Sequence, residues 1–321
     1  MSKFPHGGDA LGAQPGHLLL APVLRPEMVL SRQQALIDLQ AIQRIPGLVG
    51  YWSADPAYLF EDSGATTPAT LNGVVGCWTS VGPAALQATT AVKPYLRKTP
   101  VSNVYWLGSN TATSALTATL GNLGSACTVA QAGAEGVAFT ENVTISSTYN
   151  IAPAYGFNGD VAIFNRTLTV SEKALLTRYM QRGVPVLGPE LVYNGGFDYG
   201  TEGWINDNGI LSVVDGEGIS TQNGNSNLVN RQTFVLPEGG MYIYSGRYRR
   251  GTSTGIIKLN LYSNPGFVAQ GNTLANGTTN WYRGTAVFIS SQNGVYLFFS
   301  NGDLTLGNTA YFDDISLKGI M

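Results

Sequence analysis

Along most of the chain, apolar residues come in short runs separated by Gly, Pro, Asn and Asp. GLVGYW (47–52), GVVGCW (73–78) and VYWLG (104–108) set this rhythm in the first half. GGMYIYSGRYRR (239–250), GIIKLNLYS (255–263), WYRGTAVFIS (281–290), NGVYLFFSN (293–301) and AYFDDISL (310–317) repeat it in the second. Runs of this length with turn residues between them predict short β-strands. Two stretches break the rhythm. In SRQQALIDLQAIQRI, residues 31–45, Leu36, Leu39, Ile42 and Ile45 recur at helical spacing, with Ala35 and Ile37 widening the stripe. Ser31 and Gln34 fit a capping box there, and Pro46 follows. In GDVAIFNRTLTVSEKALLTRYMQRG (159–183), a strand, VAIF, leads to a second capping box, Thr169 with Glu172. The helix it opens carries Leu175, Leu176, Tyr179 and Met180.

The order of elements implies an all-β chain of two antiparallel β-sandwich or jelly-roll domains behind an N-terminal arm and one helix. Residues 1–30 carry no periodicity and read as an extended arm. The expected divisions are 1–45 for the arm and its helix, 46–187 for the first sandwich and 188–321 for the second, with the stiff VPVLGP segment (184–189) as linker. Two roles are open for the helix: packing on the first domain, or docking to a partner.

Alternation within single strands gives finer expectations. In 241–250 it puts Tyr242, Tyr244 and Tyr248 on one face and Ile243, Ser245, Arg247 and Arg249 on the other. In 310–317 it puts Asp313 with Tyr311, Ile315 and Leu317, and Asp314 with Phe312 and Ser316. A carboxylate on each face of an apolar strand asks for a partner, because a partly buried aspartate is costly alone.

Composition narrows the chemistry. Charged residues are only 12% of the 321, and 40 glycines with abundant Ser, Thr and Asn take their place, a palette of extracellular or virion β-proteins. The net charge of −2 gives no electrostatic reason to expect nucleic acid as a partner. No apolar run approaches a membrane span. The two histidines, His6 and His17, both fall in the leader, which argues against a His-based triad or zinc site. Cys77 and Cys127 lack metal spacing and read as small buried hydrophobes, with a single bridge as the alternative. No catalytic constellation emerges: Glu61, Asp62, Asp160, Glu172, Asp198, Asp207 and Asp313 each have an explanation as turn, cap or ligand, and a non-enzyme is expected.

Two resemblances follow from longer motifs. ELVYNGGFDYGTEGWIND, TTNWYRGTAVFIS and AYFDDISL, in that order, resemble the family-4/9-type carbohydrate-binding modules, which are jelly rolls. The resemblance implies that the first and last strands lie side by side and that their acids, Asp198 with Asp313 or Asp314, help hold a structural calcium ion. It also implies a glycan face, for which Arg247, Arg249, Tyr262 and Trp204 are the candidates. Trp281 reads as a core residue at the end of the sandwich, a reading also open to Trp204, and Trp52, Trp78 and Trp106 read as core within their apolar runs. The first domain, from PGLVGYWSADPAYLF through ALQATTAVKPYL to GDVAIFNRTLTVSEKALLTRYM, resembles the concanavalin-like or laminin-G-like sandwiches common in phage structural proteins.

No signal peptide is evident, since LLLAPVL (18–24) is short and broken by Pro. Synthesis in a host cytoplasm combined with an extracellular palette implies a bacteriophage virion surface protein, a decoration or short spike of head, neck or tail. Residues 1–45 are expected to join other virion proteins. A homo-oligomer, by default a trimer, and a host surface glycan are the further expected partners. A bacterial carbohydrate-binding adhesin or accessory module is the alternative, and a glycan-degrading tailspike the third.

Overall fold

The computed structural model describes residues 32–79, 81–108, 115–152, 157–206, 210–223, 230–263, 274–290, 294–301 and 305–321. The arm, including Ser31, lies outside the described residues. Within them the chain is all-β, with two sandwiches of antiparallel sheets.

The first sandwich pairs a sheet ordered Leu48–Trp52, Val161–Phe164, Gly124–Gly133, Gly136–Ile145 with a five-stranded sheet of short strands between Leu59 and Asn150. Trp52, Val129, Val161 and Ile163 of one meet Leu59, Trp78, Ala85 and Ala118 of the other. The first sheet is also covered on its second face. Tyr51, Ala130, Ala162 and Phe164 pack beneath two helices, α1 (Arg32–Gln43) and α2 (Val170–Met180), through Ile42, Ile45, Leu176, Tyr179 and Met180. Burial on both faces is why VAIF is apolar at every position rather than alternating.

The Thr169–Glu172 capping box forms as expected, and Glu172 also takes Arg166 in a two-point ion pair. α1 packs on the first domain: Ile42 and Ile45 are buried, and Asp38, buried on the same face, pairs with Arg178 of α2 at 2.5 Å. Ile37, expected on the apolar stripe, is 52% exposed instead. The helix turns Asp38 inward to the arginine and Ile37 outward.

The second sandwich stacks a sheet ordered Ile210–Val214, Glu217–Thr221, Thr309–Ile320, Met241–Arg250, Tyr282–Ile289 on one ordered Ile205–Asn206, Asn230–Val235, Gly294–Asn301, Ile257–Ser263, Leu274–Asn276. Leu187–Glu190 joins the first of these beside Thr309–Ile320. Tyr244, Tyr248, Phe288, Phe312, Ile315 and Leu317 face Leu259, Leu261, Leu297 and Phe299 across a dry core.

The closing strand corrects the expected alternation. Ser245 pairs with Ser316 but Arg247 with Asp313, so Asp314 and Ile315 together oppose Gly246 and a β-bulge interrupts the ladder. Asp314 takes the extra position with φ 48, a left-handed conformation that aspartate tolerates better than most residues. Phe312 and Ile315 therefore both point into the core, and Asp313 and Asp314 both stay out of it. Asp313 shares its face with Tyr311, not with Ile315 and Leu317.

Ile243 and Ile320, on the outer side of this sheet, are buried against Val104, Trp106, Ala134 and Phe157 of the first domain. Trp106 stacks on Phe157 with ring centroids 4.8 Å apart. Among the described residues, one half of the sheet's outer face is thus covered, and the other half is open.

Candidate functional site

The open half is where chemistry-bearing side chains gather. Alternation in Met241–Arg250 places Tyr242, Tyr244 and Tyr248 in the core and leaves Arg247 and Arg249 half-buried on the outer face, as expected from the sequence. Trp281 lies with them: the guanidinium carbons of Arg247 and Arg249 are 4.8 and 4.9 Å from its ring centre. Arg249 also sits 4.0 Å over the Tyr311 ring. The aromatic faces are electron-rich and attract the cations laid on them.

Each arginine is held by acids. Arg247 lies 3.6 Å from Asp313 and 3.4 Å from Asp314, and Arg249 lies 3.2 Å from Glu217. The bulge makes the first arrangement, because only by turning out together do both aspartates reach one arginine. Burial raises the pKa of Asp313, while the N–H of Asp314 and the charge of Arg247 pull it back. Trp281 is half-buried, and a ligand would meet only the part of its ring that the two guanidiniums leave uncovered, together with the oriented donors and acceptors of the ion pairs around it.

Several expected site residues fall elsewhere. Trp204 is 8% exposed, stacked on Phe197 and edge-on to Phe299, with its N–H donated to the Asn194 carbonyl; it is a core residue. Trp204 thus takes the core reading that the sequence left open for it, and Trp281 lies on the open face and is not the core residue the sequence suggested. Tyr262 belongs to Ile257–Ser263, a strand of the opposite sheet, so its strand does not share a face with Arg247; its side chain lies outside the described residues. The next strand in sequence crosses to the other sheet, as a sandwich requires.

The calcium set is not assembled. The opening segment does run against the closing strand: the Ile315 N–H donates to the Gly195 carbonyl, and a Cβ at Gly195 would lie 1.9 Å from the Ile315 oxygen, so only glycine fits. The acid that reaches the closing strand is Glu190, not Asp198. Its carboxylate accepts the N–H groups of Leu191, Val192 and Leu317 and the Ser316 hydroxyl. Asp198 is exposed, and Asp313 and Asp314 carry Arg247 between them. Among the described residues no group of three or more His, Cys, Asp and Glu is arranged to hold a metal. A bound cation would compete with the guanidinium for the same oxygens, so these residues do not fit the ion.

Of the other acids singled out in the sequence, Asp207 lies outside the described residues, and Asp62, Glu61, Asp160 and Glu172 have structural partners. Asp62 ties a turn through the N–H groups of Gly64, Thr66 and Thr67, which hold its pKa near about 2. Glu61 accepts from the Thr70 hydroxyl, and Asp55 from the Ala57 N–H. Asp160, 4% exposed, accepts from the Tyr51 and Ser53 hydroxyls and the Ala54 N–H, and Arg182 stands 3.6 Å away. Its oxygens face inward to these donors, and burial beside it raises the Tyr51 pKa. Trp52 and Trp78 are buried, with N–H groups donated to the Pro83 and Ser53 carbonyls; Trp106 is buried at the domain junction. Cys77 and Cys127 are buried and unbridged. No helix among the described residues is long and apolar enough to cross a membrane.

No family model matches the chain. No curated protein matches it either. Solved structures similar to it include one described as "CBM4 structure and function", at 18% identity over 40% of this chain and 99% of that one, TM-score 0.35. Another is "Family 16 Carbohydrate Binding Module-2", at 17% identity over 40% of this chain and 98% of that one, TM-score 0.34. A third is a tailspike protein of bacteriophage CBA120, at 12% identity over 41% of this chain and 21% of that one, TM-score 0.29. At these levels no residue role or activity is carried over from them.

Proposed function

We propose that the chain is a non-enzymatic bacteriophage virion surface protein whose second sandwich binds a surface glycan. The observation that carries the binding is Trp281, half-buried on the open half of the outer sheet face and bracketed by Arg247 and Arg249, whose own acids fix them in place. Sugar rings present a C–H face that stacks on an indole and hydroxyls that both donate and accept. A platform with charge-paired arginines and carboxylates at its rim meets both needs. The virion setting is supported by the low-charge, glycine-rich palette and by the two sandwich resemblances in one chain. The absence of catalysis is supported by the structural partners of the described acids in the first sandwich, where Asp55, Glu61, Asp62, Asp160 and Glu172 each serve a turn, cap or buried network.

A glycan array probed with the full chain tests the reading. Binding to a bacterial surface polysaccharide is expected, and Trp281→Ala should weaken it by about tenfold or more, as loss of a central aromatic anchor does. Release of reducing ends from the bound glycan would turn the proposal toward a tailspike enzyme. Binding by no array glycan would leave a decoration protein without a receptor role.

A further inference from the structure

The outer face that carries Trp281 does not end with the arginines. Arg247 pairs with Arg283, Ser245 with Thr285 and Ile243 with Val287 along the same two strands. These residues share one face by alternation, and they lead from Trp281 toward the first domain. The six steps from Trp281 to Val287 span about 20 Å at strand rise. At the far end lies a cleft of about 370 Å³ between the domains, lined by Ala134, Glu135, Ala138 and Phe157 on one side and Ile243 and Thr285 on the other. Glu135, at the tip of the first domain's Gly124–Gly133/Gly136–Ile145 hairpin, stands 3.4 Å from Arg283 and 3.5 Å from the Ser245 hydroxyl. Polar contacts therefore continue from the open face into the junction. The indole N–H of Trp106, stacked on Phe157, has no acceptor among the described residues.

The charges along this track also select. Arg247, Arg249 and Arg283 meet Glu135, Glu217, Asp313 and Asp314. Each arginine is already neutralised, and the carboxylates outnumber them, so an anionic chain would meet more repulsion than attraction.

Resting on the glycan-binding reading above, we propose that the track continues into the interdomain cleft and takes an internal stretch of an uncharged polysaccharide, with the first domain's hairpin as one wall. A site of this length rewards chain length, and a terminal sugar fills only part of it.

The test uses the full chain with cello-, xylo-, manno- and galacto-oligosaccharides of two and six sugars, titrated by calorimetry. The cleft is plugged by Thr285→Trp or Ala138→Trp, both at exposed positions where substitution costs little stability. Plugging should weaken the hexamer by about tenfold, the loss of about 1.4 kcal/mol of contact, and leave the dimer within about twofold. Trp281→Ala should weaken both. Hexamer binding untouched by either plug, with Trp281→Ala still disruptive, would overturn the extension and leave the open-face reading standing. Binding by none of these probes would overturn the extension to a neutral polysaccharide, and the glycan array separately decides the open-face reading. Tighter binding of a hexamer of galacturonic acid than of any neutral hexamer would overturn the uncharged class.

Discussion

The two sandwiches use their sheets differently. In the first, the sheet containing Val161–Phe164 is covered on one face by the partner sheet and on the other by α1 and α2. In the second, the sheet containing Met241–Arg250 is covered on one face by its partner, but on the other, among the described residues, only where Ile243 and Ile320 meet the first domain. A sheet sealed on both faces has its side chains committed to packing. A sheet with half a face open can hold an indole, arginines and carboxylates at the surface while its inner face supplies the rigidity. On the proposed function, the difference leaves architecture to the first domain and recognition to the open half of the second.

Truncation breaks this contrast most severely. Removing residues 1–43 takes away α1, strips Ile42 from the cluster and leaves Tyr179, Met180 and the face of the sheet beneath them partly bare. The first sandwich should lose about 5 kcal/mol, since each buried aliphatic side chain is worth about 1.5–3 kcal/mol and the Asp38–Arg178 pair goes as well. On the virion reading, which places the anchor in residues 1–45, removing residues 1–31 alone should abolish incorporation into the particle if the arm rather than α1 makes the contact. A chain lacking 1–31 that still incorporates at the normal level would move the anchor elsewhere. A chain lacking 1–43 that melts like the intact protein would mean α1 does not cover the sheet.

The tryptophans sharpen the contrast within the second domain. Trp204→Ala should destabilise it by about 3–5 kcal/mol, as large-to-small changes in a packed core do. Trp281→Ala should cost under about 1 kcal/mol and act on binding instead. Denaturant unfolding of the two variants separates these outcomes; equal costs would place both residues in one environment.

The placement of one of these residues in the core and the other on the open face marks how far a sequence carries. The capping box at Thr169 was legible because its two partners are three residues apart, and the core tyrosines of 241–250 because alternation holds along an unbroken strand. Trp204 and Trp281 each stand near glycines and apolar residues, and nothing local tells which ring is covered. Coverage depends on Phe197 and Phe299 for one and on a neighbouring strand's arginines for the other. The grouping of Asp313 and Asp314 around Arg247 was hidden for a different reason. A bulge shifts alternation by one residue, and the pairing partner that accommodates it is about 70 positions away. Tyr262 was misplaced because adjacency in sequence does not decide which of two sheets a strand joins.

A smaller effect is expected at the edge of the first domain. Glu172→Ala removes the carboxylate half of the capping box and the Arg166 pair, and should cost about 1 kcal/mol at neutral pH. Arg166 and the Thr169 N–H hold the Glu172 pKa at about 2, below its ordinary 4.5. A depressed carboxylate pKa contributes stability that is present above the ordinary value and lost as pH falls through the folded one. The gap between variant and parent should therefore be full at pH 7, shrink from about pH 4.5 downward, and close near about pH 2. Thermal melts at pH 7, 4 and 2 read it directly. A gap that persisted at pH 2 would assign the effect to packing of the side chain and not to its charge.

The smallest expected effect concerns calcium. The acids of the opening and closing segments are already occupied by protein donors. Glu190 accepts three backbone N–H groups and a hydroxyl, and Asp313 and Asp314 flank Arg247. Calcium takes six to eight oxygens, with carboxylates free to turn toward it. An ion at Asp313 and Asp314 would have to displace a guanidinium held on Trp281, and Asp198 stands exposed on the loop. Saturating calcium or excess chelator should accordingly move the Tm of the second domain by less than about 1 °C. A site filled at a hundredfold excess over Kd would instead add about 2.7 kcal/mol. Arg247→Ala is the informative control. It leaves two adjacent carboxylates without their cation, and if calcium stabilises that variant but not the parent, the arginine is doing the work of the ion. A calcium-dependent rise in the Tm of the parent would reverse the assignment and return Asp313 and Asp314 to the metal.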